Sequence, residues 1–137
     1  MRGVVVPATT LPFMFGDTPE LASELLDLVV QGKKTATAGL LWAWDANDGG
    51  PPKEGQTYIV HDWDGAARAV IENTQVTIVP FDRVDAQFAA AEGEDDLSLA
   101  SWRRAHWEYF GRECKRLGRS PSQIMPVVCL RFRVLYP

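Results

Sequence analysis

The first regular pattern along the chain is an apolar stripe at helical spacing. Leu21, Leu25, Leu28 and Val29 recur so that they share one face of a helix. Asp17 or Thr18 stands where a side-chain oxygen caps free N–H groups. Pro19 suits the first turn, and Gly32 the residue just past the end. The spacing predicts a helix over 18–31. Lys33 to Ala38 then runs through Leu40-Leu41-Trp42 as an extended segment. The density of Asn, Asp, Gly and Pro over 45–56 predicts an exposed loop.

Tyr58-Ile59-Val60 reads as a short strand, Asp64-Gly65 as a hairpin turn and 67–79 as a long strand. If that strand is unbroken, Glu72 and Thr74 share a face with Val70, Val76 and Ile78, and a carboxylate on an apolar face needs a partner or a task. Pro80-Phe81-Asp82 ends it. Residues 84–98 carry Asp85, Glu92, Glu94, Asp95 and Asp96 and no basic residue. Ser98 caps a second helix over 98–117, with Leu99, Trp102, His106, Phe110 and Leu117 near one face. Gly118 is its C-terminal cap, and 127–135 closes the chain as a strand. The strands come in clusters and do not alternate with helices, which favours an α+β fold over a doubly wound sheet.

Composition narrows the classes. With 46% hydrophobic and 23% charged residues, 137 residues suffice for one core without staples. The net charge of −4 argues against a protein that coats nucleic acid through its phosphates. The helix run from Arg103 to Arg119 is the exception, with six basic residues against Glu108 and Glu113. It reads either as an RNA-contacting face or as a solvated one. Cys114 and Cys129 form no C-x-x-C pair and suit a reducing compartment, and no zinc-ligand spacing appears with His61 or His106. Two prolines and two threonines interrupt the apolar start, unlike a signal peptide, and no run approaches the ~18 apolar residues of a membrane helix. The expectation is a cytoplasmic protein with no membrane contact, no cofactor and no metal.

The distinctive string is Gly32-Lys33-Lys34-Thr35-Ala36-Thr37, between a leucine-rich helix and a strand. It resembles the ASCH signature G-x-K-x-x-T-x-R, with Gly39 where the common pattern has Arg. Further matches are Phe15-Gly16-Asp17, Lys53-Glu54-Gly55, Val79-Pro80-Phe81, Ala91-Glu92-Gly93-Glu94, Trp102-Arg103, His106-Trp107 and Met125-Pro126-Val127-Val128-Cys129. They resemble one bacterial ASCH subgroup. The resemblance implies a PUA-like α+β domain over 12–137, a small mixed β-barrel with flanking helices, after an extension of residues 1–11. It implies a cleft beside the motif that takes RNA or a nucleoside.

Some members of the family resemble N4-acetylcytidine amidohydrolases, which implies Lys34, Thr37 and Glu72 as catalytic residues. Amide hydrolysis needs a nucleophile, a base and an oxyanion stabiliser. A Thr hydroxyl, a Lys partly withdrawn from water and a Glu that orients it supply such parts. Lys33, Trp42, Asp17, His106 and Trp102 are the candidate substrate contacts. The alternatives are a ribonuclease and a binding module without chemistry. Each residue also has a plainer reading. Lys34 suits a helix C-terminus, Thr37 a strand and His106 a core. Trp42, Trp44 and Trp63 suit packing as well as base stacking. Glu72 would pair with a surface Arg if a bulge turns it outward.

Overall fold

The computed structural model describes residues 3–136. Met1, Arg2 and Pro137, at the ends of the expected extension and domain, lie outside the described residues. Five strands and four helices follow in the order β1 (Leu11–Phe13), α1 (Pro19–Val30), β2 (Ala36–Leu40), α2 (Leu41–Asp48), β3 (Thr57–His61), β4 (Ala67–Pro80), α3 (Ala86–Ala91), α4 (Leu99–Leu117) and β5 (Pro126–Tyr136). A single 3-10 turn, Phe81–Arg83, follows β4. The sheet order is β1-β3-β4-β5-β2, with β1 parallel to β3 and every other pair antiparallel. This is the mixed α+β fold that the clustered strands predict.

The sheet curls without closing into the expected barrel. Its edge strands β1 and β2 do not hydrogen-bond to each other. Trp44 of α2 stands between them, stacked on Phe13 of β1 (centroids 6.3 Å, interplanar 16°) and pressed against Gly39 of β2. An indole bridges the gap that backbone pairing would otherwise close.

The helix ends obey local chemistry. Thr18 Oγ1 accepts from the Leu21 N–H, Ser98 Oγ accepts from the Ser101 N–H, and Gly118 takes the left-handed cap of α4. α2 is the departure. The extended reading holds through Leu40, but at Leu41-Trp42 it gives way, as does the loop reading from 45, to a helix over Leu41–Asp48. Leu, Ala and Trp carry it, and Gly49 at φ 75° ends it by donating to the Asp45 carbonyl. The turn formers Asn47, Asp48 and Gly49 terminate a helix there; the loop occupies only the second half of the segment.

β5 is buried on both faces, which is why Val127 to Leu130 read as one apolar run. Val127 and Cys129 join Phe110 and Cys114 of α4 in one core cluster. Leu130 and Phe132 join Leu25, Leu26 and Val29 of α1 in the other. The apolar stripe of α4 holds as predicted at Trp102, His106 and Phe110.

β4 is not an unbroken strand. Its pairing with β5 shifts between Val70 and Ile71 and again between Asn73 and Gln75. Each bulge resets which side chains face inward. Asn73 is buried and donates to the Lys53 carbonyl, which anchors the loop before β3. Glu72 turns out to Arg133.

Candidate functional site

Lys34 owes its position to the way α1 ends. Gly32 turns left-handed at φ 76°, and the N–H groups of Lys33 and Lys34 both donate to the Leu28 carbonyl at 2.9 and 3.0 Å. That folds the chain under the helix. Thr35 then docks on the segment after α3, its N–H donating to the Ala91 carbonyl at 2.9 Å. The approach is so close that a Cβ on Gly93 would lie 2.1 Å from the Lys33 carbonyl oxygen. Only glycine fits, and it also sits at φ 71°.

This docking sets Glu92 and Glu94 around Lys34. The lysine is 1% exposed, and its Nζ lies 2.6 Å from Glu94 Oε2 and 3.4 Å from Glu92 Oε1. It also lies 5.8 Å from the centre of the Phe15 ring. A buried ammonium needs such partners, because losing its water shell is costly. The helix-terminus reading of Lys34 as a solvated lysine therefore does not describe it.

Glu92 is the hub. Its Oε2 accepts from Trp102 Nε1 at 2.5 Å and from His106 Nε2 at 2.7 Å. His106 stacks on Trp102, with centroids 4.2 Å apart and an interplanar angle of 14°, and its Nδ1 lies 2.9 Å from the Trp102 carbonyl. A carbonyl only accepts, and so does an ionised carboxylate. With both ring nitrogens beside acceptors, the site favours the protonated imidazole. Burial would push the Glu92 carboxyl up, but the Lys34 and His106 charges, with hydrogen bonds from His106 and Trp102, hold it at about 2. Burial would push His106 down, but the Glu92 charge and hydrogen bond, with the Glu94 charge, raise it above its ordinary value. Two cations and two carboxylates thus balance inside the domain.

Glu92, Glu94 and His106 each offer a ligand atom within 4.8 Å of the others, the spacing of a metal site. The Lys34 ammonium already supplies the positive charge between the two carboxylates. The cluster is a protein ion network, and its donor set does not fit a metal ion while Lys34 stands there.

The network forms one end of a cleft of about 540 Å³. Thr37 and Gly39 of β2 line it beside Val128 and Leu130 of β5, their direct cross-strand partners. Trp44, Tyr58 and Tyr109 add aromatic surface, and Glu94, His106 and Asp48 add polar edges. Glu92 and Glu94 both line it, Glu94 with 23% of its side chain exposed, while Lys34 is buried behind them and outside the lining.

The sequence-derived residues divide accordingly. Lys34, His106 and Trp102 meet in the network, and Thr37 lines the cleft next to it. Glu72 does not join them: its Oε1 lies 2.7 Å from Arg133 Nη2, outside the lining of the cleft. Asp17 holds Arg112 through both carboxylate oxygens, at 2.9 and 3.2 Å. Trp42 lies under Arg119, 4.4 Å from ring centre to guanidinium. Lys33 is exposed. Glu92, Glu94, Tyr58 and Tyr109 escaped the sequence reading as site residues. The available signal was a glycine between two glutamates in a segment with no basic residue to neutralise them.

A curled mixed sheet, flanking helices and a cleft beside an ion network define a small α+β domain. Residues 12–136 match the ASCH domain model, and the chain belongs to the ASCH domain family. It is similar to the ASCH domain from Lactobacillus crispatus JV V101, at 35% identity and TM-score 0.87, covering 94% of this chain and 81% of that one. It is also similar to a protein of Enterococcus faecalis V583, at 32% identity and TM-score 0.85, covering 97% and 80%. ASCH from Zymomonas mobilis shares the fold alone, at 8% identity and TM-score 0.53, covering 90% and 65%. No curated protein matches the sequence. No described helix is long and apolar enough to cross a membrane.

Proposed function

We propose that this ASCH domain binds a single nucleoside in the cleft between β2, α2 and the Lys34 network. The observation that carries the reading is the cleft itself. Its volume of about 540 Å³ falls in the range of small-molecule sites, about 300–1,000 Å³. Its lining pairs aromatic rings, which suit the faces of a base, with Glu94, which suits an exocyclic amino or amide N–H. The acidic chain and the carboxylates of the lining suit a neutral ligand better than a polyanion.

The same wall supports hydrolysis of an N4-acetylcytidine-like amide. An ammonium held between two carboxylates has no lone pair for the Thr37 proton. The base in this reading is therefore Glu94, whose carboxylate faces the cleft. Lys34 steadies that carboxylate, and Thr37 or a water supplies the attacking oxygen. Glu72, engaged by Arg133, has no part in it.

A second reading, RNA binding, draws on a groove of about 370 Å³ along α4. Arg103, Arg104 and Trp107 line it, and neither arginine has a carboxylate partner within ion-pair distance among the described residues.

The test is calorimetric binding of cytidine and N4-acetylcytidine, with chromatography of the products, for the wild type, Thr37→Ala and Glu94→Gln. The expected result is binding by the wild type and release of cytidine and acetate. Turnover in Glu94→Gln should fall by about 100-fold or more. Binding without turnover keeps the site and removes the hydrolysis. A folded wild type that binds no nucleoside, yet binds RNA through Arg103 and Arg104, overturns the proposal in favour of the second reading.

A further inference from the structure

Gly39 and Trp44 occupy one space. Residue 39 lies on β2 with Thr37, two positions along, so both face the cleft. An ideal Cβ on Gly39 would stand 2.8 Å from Trp44 Nε1 and 3.4 Å from Cδ1. Real carbon atoms do not approach an indole that closely, so any side chain at 39 displaces Trp44. Gly39 has no left-handed backbone to explain the absence of a side chain. The explanation is the indole itself.

Trp44 is held in turn by Phe13, which stacks nearly parallel to it across the gap between the sheet edges. One turn further along α2, Asn47 and Asp48 also line the cleft. Lys53 is the only lysine in the lining, against the carboxylates of Asp48, Glu92, Glu94 and Glu113. This wall therefore presents an aromatic ring, an amide and no net positive charge.

We infer that Gly39 and Trp44 form one coupled specificity element, which makes the cleft a site for an uncharged nucleoside and excludes its 5′-phosphorylated form. The inference rests on the nucleoside reading above and deepens it. Trp44 supplies a flat apolar surface where a side chain at 39 would otherwise project. A cationic side chain at 39 would recognise a phosphate. An indole with Asp48 beside it disfavours one. Specificity here is a difference between two affinities, set by what the wall offers and by what it repels.

The experiment measures cytidine and cytidine 5′-monophosphate binding by calorimetry on the full chain. The variants are Trp44→Phe, Trp44→Ala, Gly39→Arg and the double variant Gly39→Arg/Trp44→Ala. The wild type should prefer the nucleoside by about tenfold or more, on the scale of one unfavourable charge contact. Trp44→Phe keeps that preference, because a ring remains. Gly39→Arg should lose nucleoside affinity as Trp44→Ala does, because the arginine expels the indole. The double variant should prefer the monophosphate.

A ligand-free check reads the coupling itself. Gly39→Ala should lower the Tm of the wild type and leave that of Trp44→Ala unchanged. Equal wild-type affinity for the two ligands overturns the inference while the nucleoside site stands. So does Gly39→Ala lowering both Tm values equally. A folded wild type that binds neither ligand overturns the site and the inference together.

Discussion

Lys34 and Arg133 both pair with a glutamate, at 2.6 Å to Glu94 and 2.7 Å to Glu72, yet the two ion pairs are physically unlike. Arg133 on β5 is 64% exposed, and Glu72, its partner on the bulged strand β4, is 28% exposed. Water solvates both partners whether or not they touch. Lys34 and Glu92 are each 1% exposed, and Trp102 and His106 complete the same network. Water has gone from around Lys34 and Glu92, whose charges depend on each other, while Glu94, 23% exposed, keeps contact with it. The same chemistry is decoration at one place and framework at the other.

The largest expected effect follows from removing one member of the framework. Lys34→Met leaves Glu92 and Glu94 without their lysine and should cost about 3–5 kcal/mol of unfolding free energy in urea titration. A loss below about 1 kcal/mol, the scale of an exposed pair, would mean that the network carries little stability.

The pH dependence sharpens the contrast. Glu92 is lowered from 4.5 to about 2, so its contribution is present above 4.5 and is lost as the pH falls toward 2. His106 is raised above 6.5, so its contribution is complete below 6.5 and is lost as the pH rises through its folded value. Tm should therefore be highest between 4.5 and 6.5 and decline on both sides. His106→Gln should remove the alkaline decline and keep the acid one. A Tm as steep above pH 6.5 in His106→Gln as in the wild type would contradict a charged imidazole in the network.

The smallest effect belongs to the exposed pair. Glu72→Gln should change stability by less than about 1 kcal/mol and leave nucleoside binding unchanged. Loss of binding in that variant, with the fold intact, would return Glu72 to the site and erase the distinction drawn here.

How far the site was legible follows from these residues. Lys34 and Thr37 belong to a contiguous string whose order survives folding, so the motif lies along one wall of the candidate cleft. Trp102 and His106, four apart on α4, were visible as one helical face; that this face would carry a carboxylate was not. Glu92 lies 58 residues from Lys34 and meets it only because Gly93 lets two loops touch. No local propensity records such a meeting. Glu72 stands apart from the cleft for the opposite reason: alternation along a strand holds only while the strand is unbroken, and bulges are set by pairing with β5. The sequence of α2 predicts a loop because the residues that terminate this helix are also loop residues.

The sequence by itself determined the α+β class, the caps of α1 and α4, the apolar faces that cover the sheet and the motif at the exit of α1. These depend on neighbours within a turn or a strand repeat, where chemistry and spacing are both in view. Only the tertiary structure decided which carboxylates meet Lys34, which acceptors face His106, and that Trp44 fills the place above Gly39. Those outcomes depend on distance and exclusion of water between segments far apart in the chain, and both exist only once the sheet has curled.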